Sequence, residues 1–108
     1  MNNPSSIEQI NSIASIAMIN DKFRKGNTSF GKFGGYCLTD RVTSLSFENF
    51  LQLIQLIREF NNFNSVNDPY GEHDYGQVYL NDEEYFFKID LTDGFFNRTM
   101  TIGHCLDQ

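Results

Sequence analysis

Apolar residues recur at helical spacing from Ile7 through Ile10, Ala14, Ala17 and Met18, a period that collects them on one face of a helix. Ser5 with Glu8 three residues later forms a capping-box start. Lys22-Phe23-Arg24-Lys25-Gly26 supplies the end, with cations beside the negative pole of the helix and a glycine to turn the chain. The pattern predicts a first helix of about 20 residues. The segment from Asn27 to Gly35 carries three glycines among polar residues and reads as a flexible entry to a short strand, Tyr36-Cys37-Leu38-Thr39. Ser46 then caps a second helix. Phe47, Phe50, Leu51, Ile54, Ile57 and Phe60 line one face of it, and Leu53 and Leu56 widen that face so far that burial on more than one side is expected.

Asn61 to Asp74 is a long polar connection containing Asn67-Asp68-Pro69-Tyr70-Gly71. Proline at the second turn position and glycine at the fourth predict a type I turn there. Two β-favouring runs follow, Gly76-Gln77-Val78-Tyr79-Leu80 and Tyr85-Phe86-Phe87-Lys88-Ile89-Asp90, joined at Asn81-Asp82-Glu83-Glu84 as a hairpin. A turn at Thr92-Asp93-Gly94 leads through Phe95-Phe96 to a last strand, Arg98 to His104. The order α-β-α-β-β-β predicts an α+β domain, two helices packed on one face of a mainly antiparallel four-stranded sheet. No repeat or linker divides residues 1–108, so a single domain is expected.

With 108 residues and sixteen aromatics, 11 Phe and 5 Tyr, the chain can build one modest core. The formal charge is −6, which argues against direct binding to nucleic acid or an anionic membrane, since both require clustered Lys and Arg. The charge is uneven. Residues 1–61 carry five acids and six bases, a net +1, whereas residues 62–108 carry nine acids against Lys88 and Arg98, a net −7. No apolar run approaches the roughly 18 residues of a spanning helix, and Met1 to Ser15 lacks the pattern of a secretory signal, so a cytoplasmic location is expected. Cys37 and Cys105 are expected to be two small buried hydrophobes rather than a disulfide, the usual state in that compartment.

The densest polar cluster is Asn67-Asp68-Pro69-Tyr70-Gly71-Glu72-His73-Asp74, which sets one imidazole between two carboxylates. Three readings stand side by side. Asp68, Glu72 or Asp74 could hydrogen-bond the loop's own backbone N–H groups. The loop could meet a partner, or His73 with Glu72 and Asp74 could form an acid/base site. His104 is the only other histidine, and no common metal-ligand spacing is present, so neither metal nor cofactor is expected. Gly31-Lys32-Phe33-Gly34-Gly35 lacks the spacing of a phosphate loop.

Phe86-Phe87 and Phe95-Phe96 place neighbouring side chains on opposite faces of a strand, so helices on one face would leave aromatic surface open on the other. Interleaved with Asp82, Glu83, Glu84, Asp90 and Asp93, such a surface would suit a basic protein groove, with Tyr79, Tyr85, Phe95 and Phe96 as anchors and the acids for steering.

Asn20-Asp21-x-Phe23-Arg24, the run from Asn67 to Gly76, and Phe87-Lys88-Ile89-Asp90 resemble, in order and spacing, a family of small bacterial proteins of unknown function. That family is found mostly in proteobacteria and often on plasmids or other mobile elements. Its members usually carry aromatics after Lys-Ile-Asp, where this chain has Leu91-Thr92. The resemblance spans residues 17–103 and implies a setting rather than a mechanism. By analogy with small acidic proteins of mobile elements, it implies an inhibitor of a host defence complex, anti-CRISPR or anti-restriction in type, that binds the basic surface of a nucleic-acid-handling assembly. A small enzyme using His73 with Glu72 and Asp74, and a module that forms a homodimer through its open sheet face, are the alternatives.

Overall fold

The computed structural model describes residues 16–26, 35–93 and 97–107. The expected capping box of Ser5 and Glu8, the glycine loop at 31–34 and the Phe95-Phe96 pair lie outside the described residues. Helix α1 is described over 16–24 and ends as the sequence predicts. Gly26 takes φ +80, and its N–H reaches back to the Phe23 carbonyl at 3.1 Å, satisfying one of the carbonyls a helix end leaves open. Strand β1 spans Gly35–Leu38, followed at once by a one-turn helix α2, Asp40–Thr43, which the sequence reading lacks, and by α3, Phe47–Glu59. Ser46 caps α3, its side chain accepting the Asn49 N–H at 3.1 Å. Then come β2 (Tyr75–Leu80), β3 (Glu83–Asp93) and β4 (Asn97–His104), with a short 3-10 turn at Cys105–Asp107.

The α+β class holds, but the sheet is mixed. Its order is β1-β4-β3-β2, with β2–β3 and β3–β4 antiparallel and β1 parallel to β4. Antiparallel neighbours need only tight turns, whereas β1 and β4 are joined by the helices and the hairpin between them. The β2–β3 turn is also tighter than expected. Asn81 (φ 52) and Asp82 (φ 66) alone form it, as a two-residue loop with positive φ at both positions requires, and Glu83 and Glu84 already belong to β3.

Strand alternation divides the sheet cleanly. Val78, Leu80, Tyr85, Phe87, Ile89, Met100 and Ile102 face the helices and join Leu53 and Ile57 of α3, Val42 of α2 and Phe23 of α1 in one core cluster. The expected face of α3 holds for the most part. Leu53 and Ile57 are fully buried and Phe50, Ile54, Leu56 and Phe60 pack against the core, whereas Phe47 (77% exposed) and Leu51 (51%) stand in solvent, so the described residues cover this helix on one side.

Phe86 and Phe87 do fall on opposite faces, as strand geometry demands. Phe86 is nevertheless buried. It lies across Gly103, where an added Cβ would sit 2.6 Å from its ring, and it stacks with Tyr75 at 6.3 Å between centroids. A glycine opposite and an aromatic neighbour thus close the gap that was expected to be open. The cysteines are free thiols, as expected, but not buried: Cys37 is exposed and Cys105 half-buried. No helix among the described residues is long and apolar enough to cross a membrane.

Candidate functional site

The loop from Asn67 to Asp74 is organised around Asp68. Gly71 N–H bonds to the Asp68 carbonyl at 3.1 Å, which closes the predicted turn over Pro69 and Tyr70. The buried Asp68 carboxylate accepts the N–H groups of Glu72 (2.9 Å) and His73 (3.2 Å). Of the three readings, the backbone-satisfying role is therefore filled by Asp68. Tyr70 points outward and is 76% exposed.

His73 does lie between two carboxylates, but not the adjacent ones. Its φ of 55 is in the left-handed region, and its ring lies flat on Phe63 with centroids 4.0 Å apart. Nδ1 meets the Asp21 carboxylate at 2.9 Å, and Nε2 stands 3.7 Å from Asp68 Oδ2. A carboxylate only accepts, so Nδ1 carries a hydrogen. Glu72 takes part through its backbone, its carbonyl accepting from Asn20 Nδ2 at 2.8 Å. Asp74 pairs with Lys88 at 3.2 Å, and Lys88 also reaches Asp90 at 3.2 Å. Burial opposes the charge on Lys88, but its two carboxylate partners outweigh that and raise its pKa. His73, Glu72 and Asp74 are thus not assembled as an acid/base constellation.

Helix α1 supplies the other half of this cluster. Asp21 and Arg24, one turn apart, face the loop together. Buried Arg24 donates to Asp21 at 3.0 Å, to the Ile57 carbonyl at 3.1 Å and to the Phe60 carbonyl at 3.0 Å, closing the end of α3, and its guanidinium lies over the rings of Phe63 and Phe87. A charge this deeply buried requires such complete pairing. Asn20 in turn accepts from buried Arg98 of β4. The arrangement joins α1, α3, the loop and the sheet through one polar knot. Asp21 was missed as the partner of His73 because 52 residues separate them; the available signal was the Asp21/Arg24 spacing on one helix face.

Of the acids proposed for steering, only Asp82, Glu83 and Glu84 gather at the hairpin turn. Asp82 is exposed at its tip. Glu83 begins the core-facing row of β3, and Glu84 begins the opposite row, where its carboxylate accepts the hydroxyl of Tyr79, 66% exposed, at 2.7 Å and contacts Cys105 Sγ at 3.3 Å. Glu84 raises the Tyr79 pKa through that hydrogen bond, and burial aided by Glu84 pushes the Cys105 thiol up to about 11. Tyr85 is not a surface anchor: alternation turns it into the core, where it is 3% exposed. Asp90 lies at the far end of β3 with Lys88, and Asp93 closes that strand.

Among the described residues no group of three or more His, Cys, Asp and Glu side chains could hold a metal ion. No curated protein and no solved structure matches the chain. A family described as "Protein of unknown function (DUF3768)" matches residues 38–104. This range runs from the end of β1 to the end of β4 and takes in the Asp68 turn, His73 and the acidic hairpin, while Asn20, Asp21 and Arg24 lie before it. By that match over more than half its length, the chain belongs to the DUF3768 family of proteins of unknown function.

Proposed function

We propose that this protein acts without catalysis, binding a basic protein surface through the acidic end of its β2–β3 hairpin. The observation that carries this reading is the concentration of Asp82, Glu83, Glu84 and the exposed Tyr79 at one end of the sheet, in a half-chain whose net charge is −7. Unbalanced acids on and beside a two-residue turn steer a cationic partner, and the tyrosine supplies contact area at low entropic cost. The finer form of the proposal places the protein on a mobile element as an inhibitor of a host nucleic-acid-handling complex, whose positively charged groove the hairpin would occupy in the cytoplasm. It rests on analogy with small acidic proteins of such elements.

The test is affinity capture from bacterial lysate with the wild type and with an Asp82→Lys/Glu83→Lys/Glu84→Lys variant of unchanged circular dichroism. A partner held by the wild type, released by moderate salt and lost with the variant supports the reading. Capture indifferent to the charge reversal, or no specific partner at all, overturns it.

A further inference from the structure

Beside the hairpin, α2 and the start of β3 line an open surface cleft of about 360 Å³, formed by Asp40, Arg41, Ser44, Leu45, Glu83 and Tyr85. Its charges do not cancel. Arg41 is already committed to Asp107 at 3.1 Å. The Asp40 carboxylate makes no hydrogen bond or ion pair among the described residues; the bonds to Asp40 run to its backbone carbonyl. Glu83 uses one oxygen only, Oε2, which lies 3.4 Å from the Tyr85 hydroxyl and 3.3 Å from His104 Nε2. Two carboxylates on separate elements therefore face one cleft with acceptor capacity left over.

His104 adds an independent observation. Its side chain is 5% exposed, and Nδ1 accepts the Leu106 backbone N–H at 3.0 Å. The hydrogen is therefore on Nε2, and this buried donor has no acceptor in hydrogen-bonding geometry among the described residues. Glu83 Oε2 of the cleft lining stands 3.3 Å from it, outside hydrogen-bonding geometry. An unsatisfied buried donor costs about 1–3 kcal/mol, and a ligand that fixes Glu83 in line with Nε2 would relieve that cost.

We propose that this cleft receives an arginine side chain of the basic partner, held between Glu83 Oε1 and the Asp40 carboxylate. A guanidinium is weakly hydrated and donates in two directions within one plane, which suits carboxylates on two separate elements better than the compact ammonium of lysine does. Leu45 gives the methylene stem an apolar contact. His104 is a positioning residue, acting through Glu83. The inference rests on the reading of the protein as a binder of basic surfaces and names where one partner residue enters.

The probe is a capped Gly-Arg-Gly peptide titrated into the full, isotope-labelled chain, with the citrulline peptide as the uncharged isostere and the lysine peptide as the alternative cation. The expected result is saturable shifts of the Ser44, Leu45 and Tyr85 amides together with a shift of the His104 Nε2–H resonance. Affinity should fall about tenfold in the Asp40→Asn/Glu83→Gln variant, as two charge-assisted contacts imply, and the citrulline peptide should give no shift. Equal binding of citrulline, shifts confined to other surfaces, or a stronger response to lysine overturns the proposal.

The two ideas fail separately. A lysate partner released by Asp82→Lys/Glu84→Lys but indifferent to Asp40→Asn, with no peptide bound, overturns the cleft and leaves the acidic hairpin as the contact. Arginine peptide bound in the cleft of a chain that captures no partner supports the cleft and overturns the proposed function.

Discussion

At Asp68 one carboxylate does the work of several loop residues. Asp-Pro-x-Gly prescribes a turn from proline's fixed φ, and an aspartate at its first position naturally accepts backbone N–H groups ahead of it, so this role is readable from the sequence. The partners of His73 are not, because Asp21 approaches from another element and the left-handed backbone at His73 aims the ring away from its sequence neighbours. Replacing Asp68 with alanine leaves the Glu72 and His73 N–H groups without their acceptor in a part-buried site. The expected cost is about 1–3 kcal/mol in urea unfolding, with most of it restored by Asp68→Asn, which keeps an acceptor oxygen in place. A neutral effect of Asp68→Ala would show that the loop is held by Asn20, Asp21 and the Phe63 stack instead.

Elements were most legible where a local rule fixed them. Ser46 at the N-cap and the hairpin alternation of β2 and β3 follow from side chains acting on their own backbone and from a period of two. The extent of the buried face of α3 was harder. Apolar residues surround so much of that helix that its periodicity does not mark where burial stops, and only the neighbouring sheet selects Leu53 and Ile57 for full burial while Phe47 and Leu51 stand in solvent. This choice has a measurable consequence. Leu53→Ala or Ile57→Ala should each cost about 2–5 kcal/mol as a cavity opens at a fully buried position, while Phe47→Ala should stay within about 0.5 kcal/mol because its ring is already in water. Comparable losses at Phe47 and Leu53 in chemical denaturation would mean that the helix is buried on both faces after all.

At the scale of the molecule, the parallel pairing of β1 with β4 joins residues more than sixty positions apart, and no local pattern announces such a partner. The same non-local packing sets the response to alkali. Burial and Glu84 push the Cys105 thiol up to about 11; burial and Glu83 raise Tyr85; Lys88 is raised despite burial, by Asp74 and Asp90. In each case the folded chain holds its proton to higher pH than the unfolded chain does. Between the ordinary and raised values the native state therefore binds more protons, so stability falls as pH rises. The contribution is complete near neutrality and is lost around and above about pH 8.5, where unfolded thiols are half ionised, through the tyrosine and lysine range near 10 to 10.5. The urea midpoint should be flat from about pH 7 to 8 and decline steadily above about 9. In Cys105→Ser the earliest part of that decline should disappear, because a hydroxyl keeps the contact to Glu84 without titrating in the window. A midpoint that rises with pH, or an unchanged onset in Cys105→Ser, would contradict the pairing of the thiol with Glu84 and with it the geometry of the hairpin end.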